Sequence, residues 1–146
     1  MGATTLAPGL HNLKFLTKKE LKCLADNVYY EARGETYEGM LAVARVTINR
    51  TIHPDYPDSI CGVVYQPYQF SWTMKKQKPV GQDYEIAKWA ALQSQYYKLD
   101  AIFYHNLKVK PKWSKVKVKI AKVGNHVFYL WLDLRRQNIY NLFINR

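Results

Sequence analysis

The sequence has no apolar run long enough to cross a bilayer. The densest, Val127 to Leu132, is six residues, against the roughly 18–20 that a spanning helix needs. Cysteine is scarce: Cys23 and Cys61 are the only two in 146 residues, and they form no CxxC pair. A chain of this size can build a core without a disulfide, so the expectation is two free, mostly buried thiols. Seven glycines and six prolines are ordinary, which excludes collagen-like and low-complexity classes. The four histidines, His11, His53, His105 and His126, stand at no metal-ligand spacing, and HExxH is absent. No metal, no cofactor and no zinc amidase or peptidase chemistry is therefore expected. A Gly-rich phosphate loop and a GxSxG nucleophile elbow are missing too. The opening MGATTLAPGLHNLKF lacks the basic start and apolar stretch of a secretory signal, and Leu6 stands where a myristoylation pattern needs Ser or Thr. The expected protein is soluble and made in a cytoplasm without a signal peptide.

Acidic residues are few, 11 against 22 lysines and arginines, for a net charge of +11. That balance calls for a polyanionic partner, whether nucleic acid, anionic membrane or bacterial envelope polymer, and charge alone does not choose among them. What the chain does have is 48% hydrophobic and 14% aromatic residues, enough for a real core and too much for disorder.

Residues 1–16 form a lead-in with little pattern; 17–146 are expected to make one domain. Thr17 followed three later by Glu20 spells a capping box, and Leu21, Leu24, Ala25 and Val28 recur at helical spacing behind it. That helix should end near Ala32-Arg33, with Gly34 as the left-handed cap. A second helix over Tyr37 to Asn49 is apolar nearly all round and should be central. His53 to Asp58 is a loop, Ser59 to Tyr65 a short helix, and Gln66 to Trp72 extended. Asp83 is a candidate cap for a helix running to about Leu99. Ile102-Phe103-Tyr104 predicts a strand, and Lys115 to Ile120 alternates strictly, so valines should face inward and lysines water. Gly124-Asn125 turns the chain into a return strand from His126. The tail from Trp131 is a candidate terminal helix. The predicted class is α+β, helices first and a small antiparallel sheet after them.

Glu31 is the most informative position. It lies three beyond Val28 and seven beyond Leu24, on the apolar face near the helix C-terminus. Burial and the negative end of the helix dipole both raise a carboxyl pKa there, which favours the protonated form that a general acid needs. The competing reading is an ion pair with Arg33, Arg45 or Arg50.

The run Tyr30-Glu31-Ala32-Arg33-Gly34-Glu35, then Tyr37 to Met40 and Ala42 to Arg50, resembles the cell-wall hydrolase family of spore-cortex-lytic enzymes (SleB type). The resemblance continues through Tyr56-Pro57, Ile60 to Pro67, Gln69-Phe70-Ser71-Trp72, Phe103-Tyr104-His105-Asn106, Pro111-Lys112-Trp113 and Val123 to Tyr129. It covers about residues 20–129, with several motifs in order, and leaves a C-terminal extension. It implies a lysozyme-like fold, similar to goose-type lysozyme and the resuscitation-promoting factors. It also implies cleavage of peptidoglycan glycan strands between N-acetylmuramic acid and N-acetylglucosamine, with Glu31 catalytic.

Under that resemblance Tyr104 is a second catalytic candidate, with a core tyrosine as the alternative. Gln69, Ser71, Trp72, Asn106, Trp113, His126 and Glu35 are substrate-binding candidates. Phe70 is expected in the core, and Trp113 is equally readable as a cover on the hairpin. His126 favours a structural hydrogen bond, and Glu35 a cap or an arginine contact. A two-carboxylate glycosidase would place its second acid roughly 5–9.5 Å from the first, and no motif supplies one; Asp55, Asp58 and Asp83 are merely acids on loops. One acid suffices for a lytic transglycosylase, in which the muramic acid 6-hydroxyl closes on C1 as a 1,6-anhydro ring. That outcome is favoured over a muramidase. Spore enzymes of this type usually carry a signal and a wall-binding domain, so a short basic chain without them looks like a phage endolysin, a monomer acting on the host wall. The lysines of 108–122 mark a solvated strand edge and a candidate contact with an anionic envelope. The rival from another class is a basic nucleic-acid-binding module, which leaves Glu31 unexplained; a wall-binding domain without activity is a third reading.

Overall fold

A computed structural model of the chain describes residues 16–67, 69–74 and 78–133. Helix α1 (Lys18–Ala32) starts at the expected capping box: Thr17 Oγ1 accepts from Glu20 N–H at 3.1 Å, and Glu20 Oε1 accepts from Thr17 N–H at 3.2 Å. It stops where the chain needs a left-handed residue, Gly34 at φ +85°. Helix α2 (Tyr37–Thr51) is capped by Thr36. It packs against α1, the short α3 (Ile60–Val64) and α4 (Gly81–Gln93). Its Ala42, Val43, Ala44 and Val46 are fully buried, as an all-round apolar helix requires. Helix α4 is shorter than the sequence suggests. It begins at Gly81 with Asp83 in its first turn, not as its cap, and passes at Ser94 into a 3-10 turn, where Ser94 Oγ donates to Ala91 O at 2.7 Å. No helix among the described residues is long and apolar enough to cross a membrane.

Strands β1 (Phe103–Asn106), β2 (Lys117–Val123) and β3 (His126–Asp133) form an antiparallel sheet in the order β1-β3-β2. The β2–β3 hairpin turns at Gly124-Asn125 as expected. The β2 alternation does not hold as expected. Register shifts fall between Lys117 and Lys119 and again between Lys119 and Ala121. Each irregularity changes the phase of the pleat, so Ala121 and Val123 pack on the core while Ile120 is exposed. Trp131 to Asp133 continue β3 rather than opening a helix; the rest of that expected helix lies outside the described residues, as does most of the 1–16 lead-in.

The expectation of free thiols is wrong. Cys23 and Cys61 are joined in a disulfide, Cα–Cα 5.4 Å, across 38 positions. Side-by-side packing of α1 and α3 brings the two together, a distance that no local spacing encodes.

Candidate active site

Glu31 sits in the last turn of α1, half-buried, its carboxyl desolvated by the surrounding helices and sheet. Burial pushes its pKa up; the Tyr104 hydroxyl and the charge of Arg50 pull the other way without cancelling it. The α1 C-terminus adds its own negative field. None of the ion pairs among the described residues involves Glu31. The three arginines considered for it are occupied elsewhere. Arg33 donates to Tyr29 Oη at 2.6 Å, and Arg45 to Asn49 Oδ1 and Gln95 O at 3.0 and 2.8 Å. Arg50 donates through Nε to Ile102 O at 2.8 Å. Only Arg50 reaches Glu31 electrostatically. It is 4% exposed, lies over the Tyr56 ring at 5.1 Å, and its Nη1 has no protein partner.

Tyr104 arrives from β1. Strand alternation puts Tyr104, Asn106, His126 and Phe128 on one face of the sheet, since Tyr104 pairs Phe128 and Asn106 pairs His126. That face meets the helices, with Phe128 fully buried in the core. Burial, then the nearby Glu31 charge, keep the Tyr104 phenol neutral well above its ordinary range. The buried hydroxyl interacts with Glu31, yet closes no hydrogen bond of regular geometry.

Trp113 goes to the other face. It packs on Phe103, His105 and Tyr129, ring centroids 5.5, 5.7 and 5.2 Å away, so the structure separates it from Glu31. Trp72 packs on α1 instead: it stacks on Tyr30, the residue before Glu31 in the chain, at 4.7 Å and 18°. Its Nε1 and the Tyr30 hydroxyl are both buried without a protein partner. Gln69 and Ser71 are exposed on the turn leading to Trp72, and Phe70 is buried beneath them, 5% exposed. Asn106 Oδ1 accepts from Lys108 N–H at 2.9 Å, which shapes the strand exit.

Glu35 binds the hairpin turn. Its two oxygens accept from Asn125 N–H and Nδ2–H at 2.9 and 3.0 Å, and Oε1 lies 3.5 Å from His126 Nδ1. Burial alone would raise its pKa; the Asn125 donors and His126 outweigh that and hold it below the ordinary carboxylate value. His126 is pushed down by burial despite Glu35, so it is neutral at neutral pH. Gly124 is needed here: at φ +57°, a Cβ would come within 3.2 Å of Glu35 Oε1 and of Thr36 Oγ1. Sequence reasoning foresaw neither Asn125 as the partner of Glu35 nor Tyr30 as the platform under Trp72; the family motifs contain both residues but not their contacts. Among the described residues no group of three His, Cys, Asp or Glu side chains is placed to hold a metal ion.

Residues 34–129 match the family model described as Cell Wall Hydrolase. The spore cortex-lytic enzyme of Bacillus subtilis is 33% identical over 116 residues, covering 77% of this chain and 38% of that protein. Its counterpart in Halalkalibacterium halodurans is 35% identical over 115 residues, covering 75% and 34%. The chain thus spans little more than a third of these relatives. Among solved structures, the catalytic domain of the germination-specific lytic transglycosylase SleB from Bacillus anthracis superposes with a TM-score of 0.69. It shares 29% identity, over 80% of this chain and 98% of that one. The Bacillus cereus SleB catalytic domain gives 0.69 at 28%, over 85% and 98%.

Proposed function

The chain belongs to the Cell Wall Hydrolase family, and on that premise we propose that it cleaves peptidoglycan glycan strands as a lytic transglycosylase with Glu31 as its single acid–base. The observation that carries this is the state of Glu31: desolvated, outside every ion pair among the described residues, and raised in pKa. A paired carboxylate would be held as an anion; this one is shifted towards the protonated form from which a general acid gives up its proton. Protonated Glu31 donates to the oxygen linking N-acetylmuramic acid to N-acetylglucosamine, and the C1–O bond breaks with positive charge developing at C1. The carboxylate left behind faces the Arg50 charge and the Tyr104 hydroxyl, both of which stabilise the anion. It then takes the proton of the muramic acid 6-hydroxyl as that oxygen bonds to C1, giving the 1,6-anhydro end and restoring the acid. The intramolecular hydroxyl supplies by proximity what a water would need a second base to supply.

Trp72, half-buried and stacked on Tyr30, is the aromatic proposed to meet a sugar ring; Gln69 and Ser71 are exposed on the same turn and supply polar groups for its hydroxyl and N-acetyl substituents. Hydrolysis of the same bond is the second reading, and Glu35 is the observation that favours it, a carboxylate kept ionised by Asn125. The finer reading, a phage endolysin lysing its host, draws support from the net charge of +11, which suits an anionic envelope.

Mass spectrometry of soluble products from purified peptidoglycan, with wild type and Glu31→Gln, tests the proposal. Products ending in 1,6-anhydromuramic acid from wild type alone are expected. Reducing muramic acid ends would mean a muramidase. Equal release by both proteins, or none by either, would remove Glu31 from the mechanism.

A further inference from the structure

A second surface is lined with aromatic rings and shares no residue with the Glu31 site. Tyr37 and Leu41 of α2, Trp89 and Gln93 of α4, and Tyr96 and Tyr97 just beyond it line an open groove of about 480 Å³. Its origin lies in helix periodicity. Helix α4 buries Ala87, Ala90 and Ala91, which leaves Trp89 and Gln93 one turn apart on the outward side; Tyr37 and Leu41 stand one turn apart on α2. Trp89 is 60% exposed, Tyr96 58% and Tyr37 42%. Single exposed aromatics are unremarkable, but several around one groove mark a binding surface. The Tyr97 hydroxyl donates to Glu38 Oε1 at 2.9 Å, so one wall is held in place.

The lining says what fits. In a chain of net charge +11, none of these six side chains carries a charge, so the groove is not built for a polyanion. Six lining residues also fall far short of the roughly 20–30 per side that a stable protein interface uses. An open groove of this size covers one side of a ligand rather than enclosing it, which suits a segment of an extended chain. Flat apolar faces with phenol hydroxyls and one amide at their edges suit a neutral pyranose ring: its C–H face stacks on indole or phenol, and its hydroxyl and N-acetyl groups find hydrogen-bond partners.

We propose that this groove is an accessory binding site for N-acetylated hexose chains, and that it holds the enzyme on the insoluble polymer whose glycosidic bonds the Glu31 site cuts. The inference rests on the proposed function for the identity of the polymer. Two sites on one long strand convert the second contact into an intramolecular one, which raises occupancy of the cleft without new contacts there.

The test is co-sedimentation with purified sacculi in a Glu31→Gln background, which binds without cutting, with and without Trp89→Ser plus Tyr96→Ser. Both positions are exposed, and circular dichroism checks that the fold survives. Losing two stacking rings should weaken binding by about fivefold or more. With Glu31 intact, the same pair should slow product release from sacculi by a similar factor and leave the rate on short soluble glycan strands unchanged. Equal sedimentation would overturn the inference, as would equal rate losses on both substrates. So would a wild-type dimer that the substitutions dissociate, which would make the groove a self-association face. Absence of cleavage by wild type would overturn the transglycosylase reading instead, while the binding comparison would still decide the groove.

Discussion

Opening the Cys23–Cys61 disulfide should destabilise the protein heavily, and the size of the effect follows from where the bridge lies. It closes a loop of 38 positions. In the chain-entropy account, a loop of that length removes roughly 13 cal/mol/K from the unfolded ensemble, or about 4 kcal/mol at 25 °C. With an unfolding entropy near 2.1 cal/mol/K per residue, that corresponds to a melting temperature lower by about 13 °C. Cys23 is 9% exposed and sits in the core cluster, so Cys23→Ala adds a cavity cost, kept small because only one sulfur atom is removed. The assay is thermal unfolding by far-ultraviolet circular dichroism of the oxidised protein, the protein in a phosphine reductant, and the Cys23→Ala, Cys61→Ala double variant. The reduced protein and the double variant should melt close together and well below the oxidised one. Glu31 is two turns beyond Cys23 on α1, so cleavage should be lost first at temperatures between the two midpoints. A shift under about 3 °C, or two reactive thiols in the unreduced protein, would refute the reasoning.

The remaining predictions concern the site. Glu31→Gln should cut turnover by about a thousandfold or more with little change in melting temperature, checked by product release and calorimetry. Since the reacting form of Glu31 is protonated, activity should fall as pH rises through its raised pKa. Tyr104→Phe and Arg50→Met each remove an influence that lowers that pKa, so both should move the basic limb of the pH–rate profile upward, and Arg50→Lys should restore it. A downward or absent shift would separate these residues from Glu31. Arg50→Met also breaks the buried bond to Ile102 O, at a cost of about 1–3 kcal/mol in denaturant melts. Glu35 has a folded pKa below its ordinary 4.5, so its stabilisation is complete above that value and lost as pH falls through the folded pKa. Glu35→Gln should therefore flatten the acid arm of stability against pH in that window, and an unchanged arm would count against the Asn125–Glu35 contact.

Much of this was legible in the chain because it depends on neighbours three or four residues apart. Thr17 and Glu20 begin α1, Gly34 ends it, and the 3.6-residue repeat places Glu31 on the face that turns inward. The family motifs, ordered from Tyr30 to Tyr129, pointed to the family and to Glu31 as the candidate acid. What the sequence left open depends on distances across the fold. Cys23 and Cys61 meet only because α3 lies along α1. It is Arg50, rather than Arg33 or Arg45, whose charge the packing of α2 brings to bear on Glu31, although all three donate elsewhere. Trp113 and Tyr104 look equivalent as motif aromatics, yet Tyr104 lies on the core face of β1. Trp113, in a 3-10 turn beyond that strand, packs on Phe103, His105 and Tyr129 of the opposite face. The irregular β2 register exposes Ile120 where strict alternation would bury it. Helix caps, turns and periodicity are local free-energy choices that a sequence writes down directly; which buried group faces which is settled only when the helices and sheet pack together.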